Sequence, residues 1–389
     1  MSPYVTKIKT DKSPLWQNKR PLLTHLDMEL TERCNNNCIH CYINLPANDI
    51  KAKQKELSAT EIKEILKEAV SLGCLKVRFT GGEPLLREDF EELYFFARRL
   101  GLKVIIFTNG TLITPQLANF FARIPPLEKV EVSLYGMKRK SYEAITRAPG
   151  SFEAAWRGIN LLLENKIPFV VKSALLPSNK KEMDEFEFWA STIPWMDMPP
   201  SYSMFFDLRC RRDSEDKNRH IKRLRLSPDE VLKAMTRRKK ECFREMGVFC
   251  RKFTRPSGKT LFSCGAGTGG GCVDAYGYFQ LCMMLRHPDS IYDLKNGTLE
   301  DAMKNFSPRV RKMKAENHAY LTHCANCFLK GLCEQCPAKS WMEHGMLDIP
   351  VKYHCEIAHA QAKFLGLLKE NEKAWEIKDW KKRIELIVS

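Results

Sequence analysis

The sequence predicts an α/β protein: an open, partial (βα)6 barrel of the TIM type, followed by a small cysteine-rich domain. Three observations predict it. Six β-rich apolar runs alternate with amphipathic helical stretches, the pattern of parallel strands joined by crossover helices. Residues with chemical character fall just after those runs, where parallel barrels carry their sites. Beyond about residue 260 the alternation stops, and eight cysteines lie between positions 264 and 355.

The strands are expected at Thr24–Leu30, Leu75–Thr80, Lys103–Thr108, Lys129–Leu134, Phe169–Leu175 and Tyr202–Leu208. The second to fifth read KVRF, VIIF, VEVSL and VVKSAL, the near-continuous apolar runs of strands covered by helices. Helices are expected near Ala59–Leu72, Glu88–Leu100, Pro115–Arg123, Phe152–Asn165 and Lys181–Thr192. The first opens on a capping box, Ser58-Ala-Thr-Glu61, and stops before Gly73. A further helical stretch runs from Ser227 to about Met246. Six units are fewer than the eight of a closed barrel, hence the open form.

The organisation expected is an N-terminal extension (1–22), the barrel (23–210), a basic helical connector (211–260), the cysteine module (261–355) and a helical tail (356–389). The 389 residues bury at least one large core. No apolar run reaches the length of a membrane span, and residues 1–20 lack an apolar signal core, so a cytoplasmic protein without a membrane partner is expected. Fifteen cysteines in such a chain point to metal or catalysis rather than disulfides. The net charge is +16, part of it in runs between Arg209 and Lys240. Those runs read either as a solvated helical face or as a surface for an acidic partner. No helix-turn-helix or RNA-binding signature favours nucleic acid.

The chemistry centres on Cys34-Asn-Asn-Asn-Cys38-Ile-His-Cys41-Tyr42 after the first strand. Three thiolates this close can hold three irons of one [4Fe–4S] cluster. The fourth iron then lacks a protein ligand, the open position a catalytic metal needs. The alternative is a zinc knuckle completed by His40 or a distant cysteine. Gly81-Gly82-Glu83-Pro84 follows the second strand, and Asn109-Gly110 the third. Ser133 closes the fourth, Arg147 lies in the loop beyond it, and Asn179 follows the fifth. Asp207, Arg209 and Cys210 follow the sixth. Paired glycines with a proline also mark ordinary turns; here their position lets backbone carbonyls approach a ligand.

These residues resemble the radical S-adenosylmethionine (SAM) superfamily. The CxxxCxxC loop closed by Tyr42, with GGEP one unit later, carries the resemblance over about Leu23–Leu208. It implies that SAM chelates the open iron. It also places Gly81, Gly82 and Glu83 against the methionyl amine, Ser133 at the ribose or methionyl part, and Arg147 at the carboxylate, with Asn109 in the same binding set. The family's Ser-x-Asp-Gly reads Ser133-Leu134-Tyr135-Gly136 here. The implied chemistry is reductive cleavage of SAM to methionine and a 5′-deoxyadenosyl radical, which abstracts a substrate hydrogen. An external electron donor such as flavodoxin or ferredoxin is implied as well.

The later cysteines are Cys264, Cys272, Cys282, Cys324, Cys327, Cys333, Cys336 and Cys355. The gap of five between the two CxxC pairs is short for a zinc ribbon. The segment resembles the SPASM domain of many radical SAM enzymes, which implies two auxiliary [4Fe–4S] clusters and three in all. By that resemblance Cys264, Cys272, Cys282 and Cys336 hold one, and Cys324, Cys327, Cys333 and Cys355 the other. Cys74 reads as a small buried apolar residue. Cys210, on the expected active face, is a candidate hydrogen-atom donor to a substrate radical.

SPASM-bearing enzymes mostly modify peptides and proteins by crosslinking or epimerisation. The sulfatase-maturing type carries an Asp where this chain has Met283, which disfavours that activity. The 22 residues before the first strand are too few for a leader-binding winged helix, so a peptide would be recognised by a separate leader-binding protein or by the basic surface. Maturation of a small cofactor such as a tetrapyrrole is the alternative, and a zinc-binding interaction protein is the non-enzymatic one.

Overall fold

The computed structural model describes residues 23–237 and 239–386. The expected extension, 1–22, lies outside the described residues. Six parallel strands form as the sequence reads: β1 (His25–Thr31), β2 (Lys76–Gly81), β3 (Lys103–Thr108), β4 (Leu127–Ser133), β5 (Phe169–Ala174) and β6 (Ser201–Ser203). The last is three residues long where seven were expected. Beyond Ser203 the chain leaves the sheet, and Phe205, Phe206 and Asp207 wall a cavity instead.

Helices α1 (Ala59–Ser71), α2 (Phe90–Arg99), α3 (Pro115–Arg123), α4 (Ser151–Glu164) and α5 (Met183–Ala190) cover one face of these strands. Burial alternates along the strands: Val77 and Phe79, Val104 and Ile106, Val130 and Val132, and Phe169 and Val171 are buried under the helices. The helices answer with single apolar stripes, such as Phe90, Leu93, Tyr94 and Ala97 of α2. The α1 capping box is present, with Glu61 N 3.3 Å from Ser58 Oγ and Ser58 N 2.8 Å from Glu61 Oε2.

The opposite face of the strands is not apolar. It carries Asp27 paired with Arg78 (2.8 Å) and Glu131 paired with Lys172, and both cations stand 4.6 Å from the Phe107 ring. A barrel that does not close leaves this inner face to solvent and ligands, so alternating charge is tolerated there.

The sheet does not end with the barrel. Three strands from the cysteine-rich part, β7 (Gly270–Val273), β8 (Tyr278–Gln280) and β9 (Ile291–Asp293), extend it in the order β9-β8-β7-β1-β2-β3-β4-β5-β6. β7 runs parallel to β1, with Cys272 opposite Asp27. The β7–β8–β9 meander is antiparallel. One sheet therefore runs through both regions, and a single large core lies beneath it.

The stretch read as one helix after Ser227 is two, Pro228–Met235 and Lys239–Phe253. The tail begins within α6 (Lys352–Phe364), breaks at Gly366 (φ 75°) and ends in a helix at Trp380–Leu386. It packs on the cysteine-rich part through Phe328, Leu329, Ala362, Leu367 and Ala374. Among the described residues no helix is long and apolar enough to cross a membrane.

Candidate active site

The loop after β1 is held by backbone before any ligand is considered. Leu45 N donates to Glu32 O (2.8 Å), closing the loop into a ring beneath Cys34. Asn37 N and Ile39 N donate to Thr146 O and Ile145 O (2.8 and 2.9 Å). Those are the last carbonyls of helix Arg139–Thr146, free at a helix end. Arg147 caps that helix in the left-handed region (φ 51°), with its side chain exposed. It lies outside the cavity the loop faces, and its place in the structure is the helix terminus that docks the cysteine loop.

Arg209 grips the loop from below. It is 3% exposed and reaches Asn44 Oδ1 (3.2 Å), Asn44 O (3.1 Å) and Cys41 O (3.4 Å), while Asp213 holds its other edge at 2.8 Å. Arg211 bonds Ile43 O and pairs with Glu32 at 2.6 Å. Arg212 donates to Trp341 O (2.7 Å) and Met342 O (3.0 Å), and Arg225 donates to Phe206 O. Four cations of the Arg209–Lys240 runs are thus spent inside the molecule. Carbonyls at loop and helix ends need donors, and guanidinium supplies several in one plane.

Backbone N–H groups point at the sulfurs. Asn36 N lies 3.4 Å from Cys34 Sγ, and Asn44 N lies 3.4 Å from Cys41 Sγ. Asn109 Nδ2 stands 3.8 Å from Cys34 Sγ. Such bonds suit metal-bound thiolates. Burial pushes the Cys34 thiol up to about 12, with Glu83 adding to it. Burial pushes Cys38 well above the ordinary range, and its fellow cysteines Cys41 and Cys34 push the same way. Ionising Cys34 and Cys38 therefore needs positive charge placed among the sulfurs, which an iron cluster would supply on binding.

A cavity of about 510 Å³ opens over the trio. Tyr42, Gly81, Gly82, Asn109 and Ser133 line it with the three cysteines. Its far wall is Lys172, Tyr202, Phe205, Phe206 and Asp207, together with Met283 and Met284 from the cysteine-rich part. Asp207 is raised by burial, against Lys339 at 3.5 Å. The donor set and the volume fit a cluster with a small-molecule ligand beside it.

The two glycines that line the cavity also let backbone approach backbone. A Cβ on Gly81 (φ 120°) would lie 2.0 Å from Thr31 O, and one on Gly82 2.2 Å from Arg33 O. Gly82 N donates to Thr31 O at 2.7 Å and Glu83 N to Arg33 O at 2.9 Å. They let β2 close against the root of the cysteine loop. Glu83 is wholly buried and does not line the cavity. Its carboxylate accepts from Thr108 Oγ1 (2.8 Å), Asn109 N (2.7 Å) and Leu85 N (3.1 Å), which ties the β2 and β3 loops together. Burial pushes it up to about 7.

Cys210 is fully buried and does not line the cavity. Burial pushes its thiol up to about 12. Its amide donates to Tyr42 O (3.1 Å) and its carbonyl accepts from Trp341 Nε1 (3.2 Å), so the residue serves as a backbone bridge. Sequence reasoning missed Asn36 and Asn44. Asn36 is buried with both side-chain polar atoms unpartnered, and it lines the cavity. The asparagine run between Cys34 and Cys38 was the available signal.

Among the later cysteines, Cys324, Cys327, Cys333 and Cys355 line one cavity of about 330 Å³. Cys264 and Cys336 line a second cavity of about 350 Å³, and burial pushes the Cys282 thiol up to about 11, with Cys336 and Cys264 pushing the same way. Cys272, fully buried on β7, accepts from Gln280 Nε2 at 3.9 Å. After burial, the charges acting most on it are Glu29, Asp27 and Arg286.

An open parallel half-barrel with a three-cysteine loop at the C-terminal end of its first strand defines a class, the α/β partial-barrel proteins. Residues 28–190 match the radical SAM superfamily, and this part of the chain is a radical SAM domain. The chain is 32% identical over 155 residues to the AdoMet-dependent heme synthase of Methanosarcina barkeri, covering 40% of this chain and 43% of that protein. It is 34% identical over 167 residues to the mycofactocin maturase MftC of Mycobacterium tuberculosis, covering 43% of this chain and 41% of that one. The chain thus spans about two fifths of these relatives' length. The fold resembles anSMEcpe with bound AdoMet (TM-score 0.62, 15% identity, 94% of this chain and 98% of that one). It also resembles Streptococcus suis SuiB bound to precursor peptide SuiA (TM-score 0.60, 15% identity, 84% and 74%).

Proposed function

We propose that Cys34, Cys38 and Cys41 hold three irons of a [4Fe–4S] cluster whose fourth iron binds SAM, and that the protein modifies a peptide or protein. The observation that carries this is the shared cavity. The cysteine trio, the Gly81-Gly82 turn, Asn109 and Ser133 line one side, and a substrate-sized wall completes it. Bound by Cys34, Cys38 and Cys41, such a cluster would supply the one-electron reduction that cleaves SAM and starts radical hydrogen abstraction from the substrate.

The chain's own residues position and exclude. Arg209 and helix Arg139–Thr146 fix the loop, Asn36 offers unpartnered polar atoms to the ligand, and Phe205, Phe206, Met283 and Met284 keep water from the reacting face. Cys264, Cys272, Cys282 and Cys336, and separately Cys324, Cys327, Cys333 and Cys355, are proposed as ligands of two auxiliary clusters. Flavodoxin or ferredoxin would supply the electron, and a separate leader-binding protein would present a peptide.

A peptide substrate is favoured by likeness to SuiB in its complex with precursor peptide SuiA, and to the mycofactocin maturase MftC. Relatives named heme synthase and Fe-coproporphyrin III synthase favour a second reading, a tetrapyrrole substrate. The test is anaerobic reconstitution followed by reduction with SAM. We expect about twelve irons per chain and 5′-deoxyadenosine. Replacing Cys34, Cys38 and Cys41 by Ala abolishes the 5′-deoxyadenosine and leaves about eight irons. Retained SAM cleavage in that triple variant, or bound zinc, overturns the reading. Stimulation of 5′-deoxyadenosine formation by a small precursor peptide encoded beside the gene, and not by iron-coproporphyrin, separates the two substrates.

A further inference from the structure

Around the cavity of Cys324, Cys327, Cys333 and Cys355, one imidazole is in an unusual position. His359 lies on α6 one turn after Cys355. Its Nδ1 is 2.8 Å from Cys355 O and 3.6 Å from Cys355 Sγ. On the other side of the ring, Nε2 accepts from the backbone N–H of Ala374 at 3.3 Å. An imidazole nitrogen that accepts a hydrogen bond carries no proton, so in the neutral ring the proton sits on Nδ1. That N–H faces the carbonyl and the sulfur of one cysteine. Trp375 packs edge-on against the ring, centroid to centroid 5.4 Å, and Ala374 is fully buried.

We propose that His359, locked as its Nδ1–H tautomer by the backbone of Ala374, donates to the sulfur of Cys355 and thereby sets the reduction potential of the cluster at this site. The inference rests on the reading that these four cysteines hold an auxiliary cluster. Hydrogen bonds to cluster sulfurs stabilise the reduced, more negative state and raise the potential. The tail residues 367–375 act as an outer shell of the metal site, so the C-terminal segment tunes electron flow rather than merely covering the module.

The experiment is an EPR-monitored redox titration of the reconstituted full chain, with iron counted on every sample. The variants are His359→Phe, which keeps a ring and removes the donor, and His359→Gln, which can restore an N–H. For His359→Phe we expect unchanged iron and a shift of one auxiliary cluster to more negative potential, the other two clusters unmoved. For His359→Gln we expect a return toward the wild-type value. Coincident potentials in wild type and His359→Phe overturn the proposal. An equal shift of all clusters overturns it too, as does loss of about four irons in both variants, since His359 would then build the site rather than tune it. The underlying cluster reading fails separately, if Cys324→Ser with Cys355→Ser leaves the wild-type iron content and EPR signals intact.

Discussion

Arg209 shows how much of the site is decided by residues that never meet a ligand. Its guanidinium joins the Asn44 and Cys41 carbonyls to Asp213, and it is nearly inaccessible. Arg209→Ala would leave the Asn44 and Cys41 carbonyls without that donor and Asp213 with Arg211 alone. Because Asp213 is partly exposed, the cost should be about 3 kcal/mol, at the low end for a broken buried pair. Thermal melts check the loss, and iron analysis should show the Cys34 cluster depleted before the others. Asp213 adds a pH signature. Burial opposes its ionisation, but Arg209 and Arg211 outweigh it and hold the carboxyl at about 2, below its ordinary 3.8. A depressed carboxyl stabilises the fold above its unfolded pKa and loses that contribution as pH falls toward the folded one. The advantage of wild type over Asp213→Asn should therefore be flat above pH ~5 and shrink from there toward pH ~2. At this scale the cysteines, Tyr42, the glycines, Asn109 and Ser133 were legible as residues that meet around one cavity, because each lies at or just past the end of a parallel strand. Arg209 was noticed and Asn44 was not, because a residue that holds a loop by its carbonyls has no fixed type or spacing.

Strands β1 to β5 could be read because each offers a buried apolar side chain at every second position, whatever the inner face carries. Helix Arg139–Thr146 escaped because its exposed side is basic and its buried side is only Ser141, Tyr142, Ile145 and Thr146. Strand β7 escaped because it begins in the run GAGTGGG, where glycine has low strand preference. Glycine is needed there for close approach: a Cβ on Gly271 would lie 2.2 Å from Phe279 of β8. The same logic at the end of β2 yields a sharp expectation. In Gly82→Ala the new Cβ meets Arg33 O at 2.2 Å and Glu32 O at 2.6 Å, both backbone atoms. Strand and cysteine loop must separate, at about 1–3 kcal/mol for overpacking. Since the loop carries Cys34, iron incorporation and SAM binding by calorimetry should fall together. A melting temperature and iron content equal to wild type would show that the loop gives way freely.

At the scale of the whole molecule, the expected boundary between barrel and cysteine module is crossed by a sheet and by a buried ionic cluster. Arg286, from the module, pairs with Glu29 and with Glu32 (2.9 Å) of the β1 segment, and Asp274 stands 3.5 Å away. Both glutamate side chains are fully inaccessible. Tyr276 Oη donates to Glu32 at 2.8 Å and Arg211 completes the set from the connector. Three segments distant in sequence are therefore locked at the root of the cysteine loop, and Met283 and Met284 are carried into the cavity on the same chain that bears Arg286. Arg286→Met keeps the volume and removes the charge. It should cost about 3–5 kcal/mol, because Glu29 is left buried and unpaired. The deficit has a direction in pH. Even with Arg286 present, burial pushes the Glu29 carboxyl up to about 7 from 4.5. A carboxyl raised in the folded state favours folding while protonated and loses that contribution as pH rises through its folded pKa. Removing the cation raises it further, so the Arg286→Met deficit should be smaller at pH 6 than at pH 8. The double variant Glu29→Gln with Arg286→Met should recover most of the stability at pH 8, giving a coupling energy well above the few tenths expected of independent sites. A double variant no more stable than the single one would mean that the cluster acts through Glu32 and Asp274 instead. The lock between barrel and module would then be centred on the connector's Arg211 rather than on β1.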